Sequence, residues 1–169
     1  MSTERSDSIL VHYRAASEKF DYFVTGFTGA LCAYITQTYT PERLSFSPNT
    51  LELISLLLLI GSVIAGFRRI EKSLIAYRYN AHTLRVQEQK GQLVTKSKGQ
   101  MLVNQSSGEI IDPVMVQAKI QMLSEVLPEF EEGMNKAAEK SGNWYKIRNW
   151  LLGTGFLLLV ASKVWYAYV

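Results

Sequence analysis

The chain has 169 residues, of which 47% are hydrophobic and 20% charged, and its net charge is +3 at neutral pH. So small a charge does not indicate a nucleic-acid partner, and a single cysteine, Cys32, excludes an internal disulfide and a cysteine-based zinc site. The longest stretches rich in hydrophobic residues are three runs, 22–39, 51–67 and 150–168. A bilayer core of about 30 Å needs about 20 helical residues, so these runs predict three transmembrane helices.

The N-terminal segment, residues 1–21, is predicted to be cytoplasmic and amphipathic, with an apolar stripe that leads into the first span. It mixes acidic with basic residues, unlike a signal peptide or a mitochondrial presequence, so we expect the first span to be retained. That span, 22–39, contains no charged residue. We expect its threonines, Thr25, Thr28 and Thr36, to donate to carbonyls of their own helix rather than to line a wet path.

The second span, 51–67, follows Asn49 and Thr50, which are predicted to cap the helix. With the first span it forms a predicted transmembrane hairpin, residues 22–67. Small residues recur within all three spans, and this spacing lets helices approach closely. The predicted membrane packing residues are Gly26, Ala30, Gly61, Ala65, Gly153 and Gly155.

The third predicted transmembrane segment, 148–169, has Trp and Tyr residues at both ends of its apolar run. Such aromatics mark the two headgroup levels of a bilayer. Lys163 is charged and lies near the end of this span. Its side chain can extend to the outer interface, and the alternatives are a pore-lining or partner-pairing role.

The distribution of Lys and Arg predicts the orientation. Residues 68–148 hold 13 of the 18 basic residues, whereas the loop 40–50 holds only Arg43. Because positive residues stay inside, we expect the N-terminus and 68–147 in the cytoplasm and the C-terminus outside, in a bacterial inner membrane. Arg68, Arg69 and Lys72 are predicted to contact anionic lipid headgroups, or only to set this orientation.

The segment 68–147 is predicted to form a cytoplasmic antiparallel helical stalk. Two apolar stripes with alternating spacings of three and four residues indicate two helices. The second stripe follows Pro113, and Pro128 lies within it, where we expect a kink. Between the stripes, a turn composition predicts a small β-hairpin at 100–112. The predicted seam consists of Ile70, Leu74, Tyr77, Leu84, Ile120, Leu123, Leu127 and Phe130.

The charges of the two stripes are opposite. Residues 68–90 have a balance of +4, and residues 112–140 have a balance of −3. In an antiparallel arrangement the acidic cluster Glu129, Glu131 and Glu132 would lie near Arg78, and such pairs help to set orientation.

No motif for catalysis or for a cofactor appears in the sequence. The two histidines, His12 and His82, fall on different predicted helices without a ligand at helical spacing. The acidic run 128–132 is more typical of a solvated helix face than of a cation site. We therefore predict a protein that is not an enzyme and binds no cofactor.

The predicted fold class is an all-α membrane protein with three transmembrane helices, a helical stalk and a hairpin at its tip. Two functions fit this layout. One is a self-assembling, channel-like membrane effector whose cytoplasmic part receives a signal or protein partner. The other is an accessory or scaffolding subunit of a larger membrane complex. The layout is similar to that of small membrane effectors of bacterial phage-defence systems, a likeness of layout with no shared motif.

Overall fold

The computed structural model describes residues 4–41, 47–98 and 113–168, which form three α-helices. Helix α1 is Glu4–Thr38, α2 is Pro48–Lys98 and α3 is Pro113–Tyr168. Helix α1 continues the N-terminal segment into the first apolar run, and α3 continues the second stripe into the third run.

The predicted fold class is wrong in two respects. The described ranges are helical and contain no strand, and the predicted hairpin, 100–112, falls outside them. In the part of the chain that the structure describes, one helix, not three, is long and apolar enough to span a membrane: Pro48–Thr95, with a mean hydropathy of 2.1 in its best window. Hydroxyl and amide side chains such as Gln37 lower the hydropathy of the first run, and Lys163 lowers that of the third.

The residues at the N-terminal ends of α2 and α3 explain where these helices begin. Ser47, not Asn49, caps α2: its Oγ accepts from the Thr50 backbone N–H at 3.5 Å, and its carbonyl accepts from the same N–H at 3.1 Å. Pro48 and Pro113 each occupy a first helical position, where the missing N–H costs nothing. Helix α3 runs on through Pro128 without a break.

The chain divides into two compact units. The three-helix unit comprises Met1–Glu71 and Lys140–Val169, and the two-helix unit comprises Lys72–Glu139. The apolar core of the three-helix unit is small and lies where all three helices meet. Its buried members are Cys32, Ile35, Leu56, Leu59 and Leu159.

Close helix contacts in the three-helix unit depend on glycine. A Cβ built at Gly155 of α3 would lie 3.1 Å from Leu59 Cγ and 3.3 Å from Leu58 Cβ, both on α2. At Gly66 of α2, a Cβ would collide with the Thr25 hydroxyl of α1. These two glycines therefore permit the close approach of α3 and α1 to α2.

The two-helix unit consists of antiparallel parts of α2 and α3. The Tyr79 ring lies 6.4 Å from the Phe130 ring, and the His82 ring stacks on Phe130 at 5.7 Å. Val116 and Ala137 of α3 and Thr83 of α2 are buried. The hydroxyl of Thr83 donates to the Tyr79 carbonyl, which satisfies it inside its own helix.

Candidate functional site

The interior of the three-helix unit is unusually polar. Its fully or nearly buried side chains include two acids and an arginine, whereas soluble proteins bury such groups rarely and then in pairs. The buried polar residues of this unit are Asp21, Thr25, Thr28, Asn49, Glu52, Ser55, Ser62, Arg148 and Ser162.

One carboxylate, Asp21 of α1, joins all three helices. Its Oδ1 accepts from Arg148 Nη1 of α3 at 2.9 Å and also from Arg69 Nη1 of α2. Arg148 is only 1% exposed. Asp21 is therefore bonded by one guanidinium group from α2 and one from α3.

Further contacts hold the two guanidinium groups in place. The Tyr145 ring lies 4.1 Å from Arg69 Cζ and 5.1 Å from Arg148 Cζ, so the two cations share one aromatic ring. Asn149 Oδ1 accepts from Arg148 Nε at 3.1 Å and from Nη2 at 3.0 Å. Each additional acceptor offsets part of the cost of burying Arg148.

A second ion pair links α2 to α3 at the other end of the unit. Lys163 Nζ donates to Glu52 Oε1 at 2.7 Å. Glu52 is buried, while the Lys163 side chain is half exposed. The structure thus places Lys163 in a pair within the chain.

Hydroxyl groups supply the remaining polar contacts between helices. Ser55 Oγ of α2 donates to the Gly155 carbonyl at 2.6 Å, and Ser62 Oγ donates to the Arg148 carbonyl at 3.1 Å. Thr28 and Thr36 donate to carbonyls four residues back in α1, at 2.7 and 2.8 Å. Thr25 Oγ1 is buried and has no hydrogen-bond partner among the described residues.

The predicted packing residues divide into two groups. Gly155 and Ala65 are buried, and a Cβ at Gly61 would make ordinary contact with Leu151 at 3.4 Å. By contrast, Cβ atoms at Gly26 and Gly153 would meet nothing within 4 Å among the described residues. Ala30 is exposed.

The side of α2 that is buried in the two-helix unit differs from the predicted seam by a rotation about the helix axis. The structure turns Ala76, Tyr79, Thr83 and Val86 inward, again with spacings of three and four. Leu74 and Leu84 of the predicted seam are 54% and 57% exposed, while Ile70, Tyr77 and the four seam residues of α3 (Ile120, Leu123, Leu127 and Phe130) are partly buried.

The three basic residues predicted at the headgroups lie in different environments. Arg68 is exposed and forms an ion pair with Glu71 at 3.0 Å. Arg69 belongs to the buried ion network, and Lys72 is half buried in the two-helix unit. On α3, Glu132 of the acidic cluster pairs with Lys136 at 2.6 Å.

The outer surface of the three-helix unit is rich in large apolar side chains. On α1, Phe23 and Phe27 stack at 6.1 Å and both are exposed. Large exposed hydrophobic residues recur on all three helices of the unit: Phe20, Tyr22, Phe23, Phe27, Tyr34, Ile54, Leu57, Ile60, Ile64, Phe67, Tyr145, Ile147, Trp150, Phe156, Leu157, Val160, Val164 and Tyr166.

Sequence reasoning missed the charged pairs of the interior. Asp21 borders the first apolar run and Glu52 lies inside the second. Acidic residues at these positions are a signal for buried pairing, because an isolated carboxylate in an apolar environment is costly. Their partners could not be assigned, since Arg148 and Lys163 are distant in sequence.

Comparison with protein-family models, with curated proteins and with solved structures finds no match. Within the described residues, no group of three or more His, Cys, Asp or Glu side chains could hold a metal ion. Any functional argument therefore depends on the chain's own side chains and their contacts.

Proposed function

We propose that this chain is a non-enzymatic integral membrane protein that self-assembles and acts as a channel-like or membrane-perturbing effector. In this proposal α2 is the spanning helix, and the large apolar side chains on the outside of the three-helix unit contact lipid. The two-helix unit, Lys72–Glu139, lies on the cytoplasmic side, since Arg68, Arg69 and Lys72 follow the apolar part of α2. There it receives a signal or a protein partner.

The distribution of polar and apolar side chains carries the membrane proposal. The three-helix unit buries Asp21, Glu52 and Arg148 and turns residues such as Phe27 and Leu57 outward. In water this arrangement would expose far more large apolar surface than monomeric proteins tolerate. In lipid it is favourable, because acyl chains solvate the apolar exterior while the polar groups pair inside.

The surface of the two-helix unit supports self-assembly. The rotation of the seam leaves Leu74 and Leu84 on the outside of α2, with exposed Arg78 and Arg85 on the same helix. Helix α3 presents exposed Met122 together with exposed acids Glu125, Glu129 and Glu132. An apolar stripe with basic neighbours on one copy is complementary to an apolar and acidic surface on another.

Ion flux across liposomes tests the effector proposal. Purified full-length protein is reconstituted into vesicles loaded with an ion-sensitive dye, with and without lysate from the source cells. We expect leak when protein is present under at least one of these conditions. Absence of flux under every condition would argue against the effector function.

Size analysis in detergent tests self-assembly and separates it from scaffolding. We expect a ring-like homo-oligomer in particle images, and we expect Leu74→Gln with Leu84→Gln to shift it toward monomer. Val114→Gln is the control, because Val114 is an apolar residue of the same unit that lies outside the stripe and is more exposed than either leucine. A stoichiometric foreign subunit in place of the homo-oligomer would instead support the scaffolding function.

A further inference from the structure

The outer surface of α1 in the three-helix unit carries two adjacent strips that differ in side-chain size. The first strip, the aromatic ridge, consists of four exposed residues: Phe20, Phe23, Phe27 and Tyr34. The second strip, the small-residue strip, consists of three exposed residues: Gly26, Ala30 and Ala33. At 3.6 residues per turn the two strips lie side by side, about a quarter of a turn apart around the helix. A ridge therefore stands next to a shallow groove along the same part of α1.

The chain itself covers neither strip. The ridge residues are 56, 67, 60 and 63% exposed, and a Cβ built at Gly26 meets nothing within 4 Å among the described residues. Small residues let helices of membrane proteins approach closely. Gly66 and Gly155 have that role inside this chain, whereas Gly26 faces outward. The small-residue strip is thus open to a helix from outside the chain.

We propose that a second copy of this chain packs against α1, with the aromatic ridge of each copy seated on the small-residue strip of the other. This inference rests on the proposed function, because copies inserted in one membrane share the same direction. A two-fold axis parallel to the helices then places each residue level with the same residue of the other copy. The ridge and the strip flank one line along α1, so rotation about that line pairs each ridge with the facing strip.

The exposed aromatic surface is large enough for a specific contact. An aromatic side chain buries about 200 Å² when it packs, so the two ridges of a pair, about 60% exposed, offer roughly 1,000 Å². Specific interfaces bury at least about 1,000 Å² in total. The ridges alone reach this value, and the strips add to it. Phe23 and Phe27 already stack at 6.1 Å, so little side-chain freedom is lost when they pack.

The α1 contact differs in kind from the assembly surface proposed for the two-helix unit. A two-fold contact is closed, because each copy uses its ridge and its strip on the same partner. A larger assembly therefore needs a second surface, and the exposed Leu74 and Leu84 of α2 supply it. Assembly through both surfaces predicts an even number of copies in the ring.

Site-specific photocrosslinking of the full chain in membranes tests the α1 contact. A benzoylphenylalanine replaces Phe27 of the aromatic ridge or, as the matched control, Leu57 of α2, which is also 60% exposed on the three-helix unit. We expect a crosslinked pair of chains from the Phe27 variant, with the attachment mapped by mass spectrometry to 26–33 of the second copy. The Leu57 variant should give no pair above background. Equal crosslinking from the two positions, or attachment from Phe27 to lipid or to a different protein alone, would overturn the proposal.

Two glycine substitutions test the small-residue strip. Gly26→Leu fills the strip and should weaken pairing about tenfold or more, because a close helix contact does not accommodate an added side chain. Gly153 of α3 also has no neighbour within 4 Å of a built Cβ among the described residues, so Gly153→Leu should leave pairing unchanged. Sedimentation in detergent over a range of dilutions measures the pairing, and both variants should retain the helical circular dichroism of the parent. No loss in Gly26→Leu, or the same loss in both variants, would contradict the α1 contact.

The outcomes separate this contact from the proposed function. A homo-oligomer that persists without the Phe27 crosslink would overturn the α1 contact alone. A Phe27 crosslink in a protein that causes no ion flux would overturn the effector activity and leave the α1 contact in place. A ring with an odd number of copies would overturn the two-fold arrangement.

Discussion

The same two helices, α2 and α3, bury opposite kinds of side chain in the two units of the molecule. In the three-helix unit they turn Ser55, Ser62 and Arg148 inward and large apolar residues outward. In the two-helix unit they meet through residues such as Val116, Ala137 and Phe130, and their outer surfaces are mostly charged or amide-bearing. The helices themselves are unbroken across this change.

If the proposed membrane location is correct, the burial pattern rather than helix formation distinguishes the part of the chain in lipid from the part in water. A helix satisfies its backbone hydrogen bonds in water and in lipid alike, so its continuity carries no information about the surroundings. Side chains do carry that information. Polar groups that gather inside a unit, away from an apolar exterior, indicate an environment that cannot hydrogen-bond them.

Among the substitutions that test this comparison, removal of the Arg148 side chain should change the free energy of unfolding most. Arg148→Met leaves Asp21 with one partner and deletes the bonds to Asn149, and breaking a buried ion pair costs about 3–5 kcal/mol. We expect a large fall in the free energy of unfolding, measured by SDS titration in mixed micelles. The double variant with Asp21→Asn should lose less than the sum of the two single variants. Strict additivity would show that the network is not coupled.

Two exposed leucines of α2 test the assignment of lipid and water directly. Leu57 in the three-helix unit is 60% exposed and Leu84 in the two-helix unit is 57% exposed. Leu57→Arg should impair membrane insertion by about 3 kcal/mol, whereas Leu84→Arg should insert normally. The measurement is the fraction of protein resistant to carbonate extraction. Equal extraction of the two variants would remove the basis for a lipid-solvated unit.

A pair of glycines on α3 measures helix packing with a smaller expected effect. Gly155→Ala forces Leu58 and Leu59 to move and should cost about 1–2 kcal/mol. Gly153→Ala, two residues away and without neighbours within 4 Å among the described residues, should be neutral or stabilise by up to about 1 kcal/mol. Thermal unfolding in detergent compares them. The same loss in both variants would contradict a close contact at Gly155.

The smallest effect is expected at the exposed surface of the two-helix unit. The hydrogen bond and the charge of Lys136 lower the pKa of Glu132 below its ordinary value. The stability that the Glu132–Lys136 pair contributes is therefore present above the unfolded-state pKa of Glu132. It is lost as the pH falls through the folded-state pKa. Glu132→Gln should leave Tm at neutral pH almost unchanged and slightly reduce the loss of Tm in acid. A large shift at neutral pH would show that Glu132 has a structural role beyond this pair.

Much of the helical fold could be predicted from periodicity. The stripe on α3, including Ile120, Leu123 and Leu127, lies on the partly buried side of that helix. On α2 the more hydrophobic stripe predicts the seam, yet the structure turns Tyr79 and Thr83 inward instead. Hydrophobicity alone does not distinguish a seam within one chain from an apolar surface that stays outside.

The site could be predicted only in part. Arg69 and Lys163 stood out in the sequence as charges near or within apolar runs, but their partners Asp21 and Glu52 lie 48 and 111 residues away. Such pairs depend on which helix faces meet and in what register, and one sequence does not specify this. Run length alone predicts three spans, whereas among the described residues one helix combines the length and the mean hydropathy that a span needs.

The single cysteine, Cys32, is buried in the core of the three-helix unit beside Ile35 and Leu56. Labelling of this thiol by a maleimide should become faster when that unit opens. The rate of labelling therefore reports the opening of one unit, without interference from the other and without any engineered probe. The native chain is thus its own kinetic reporter, and each substitution above that keeps Cys32 can be followed by mass spectrometry of the intact protein.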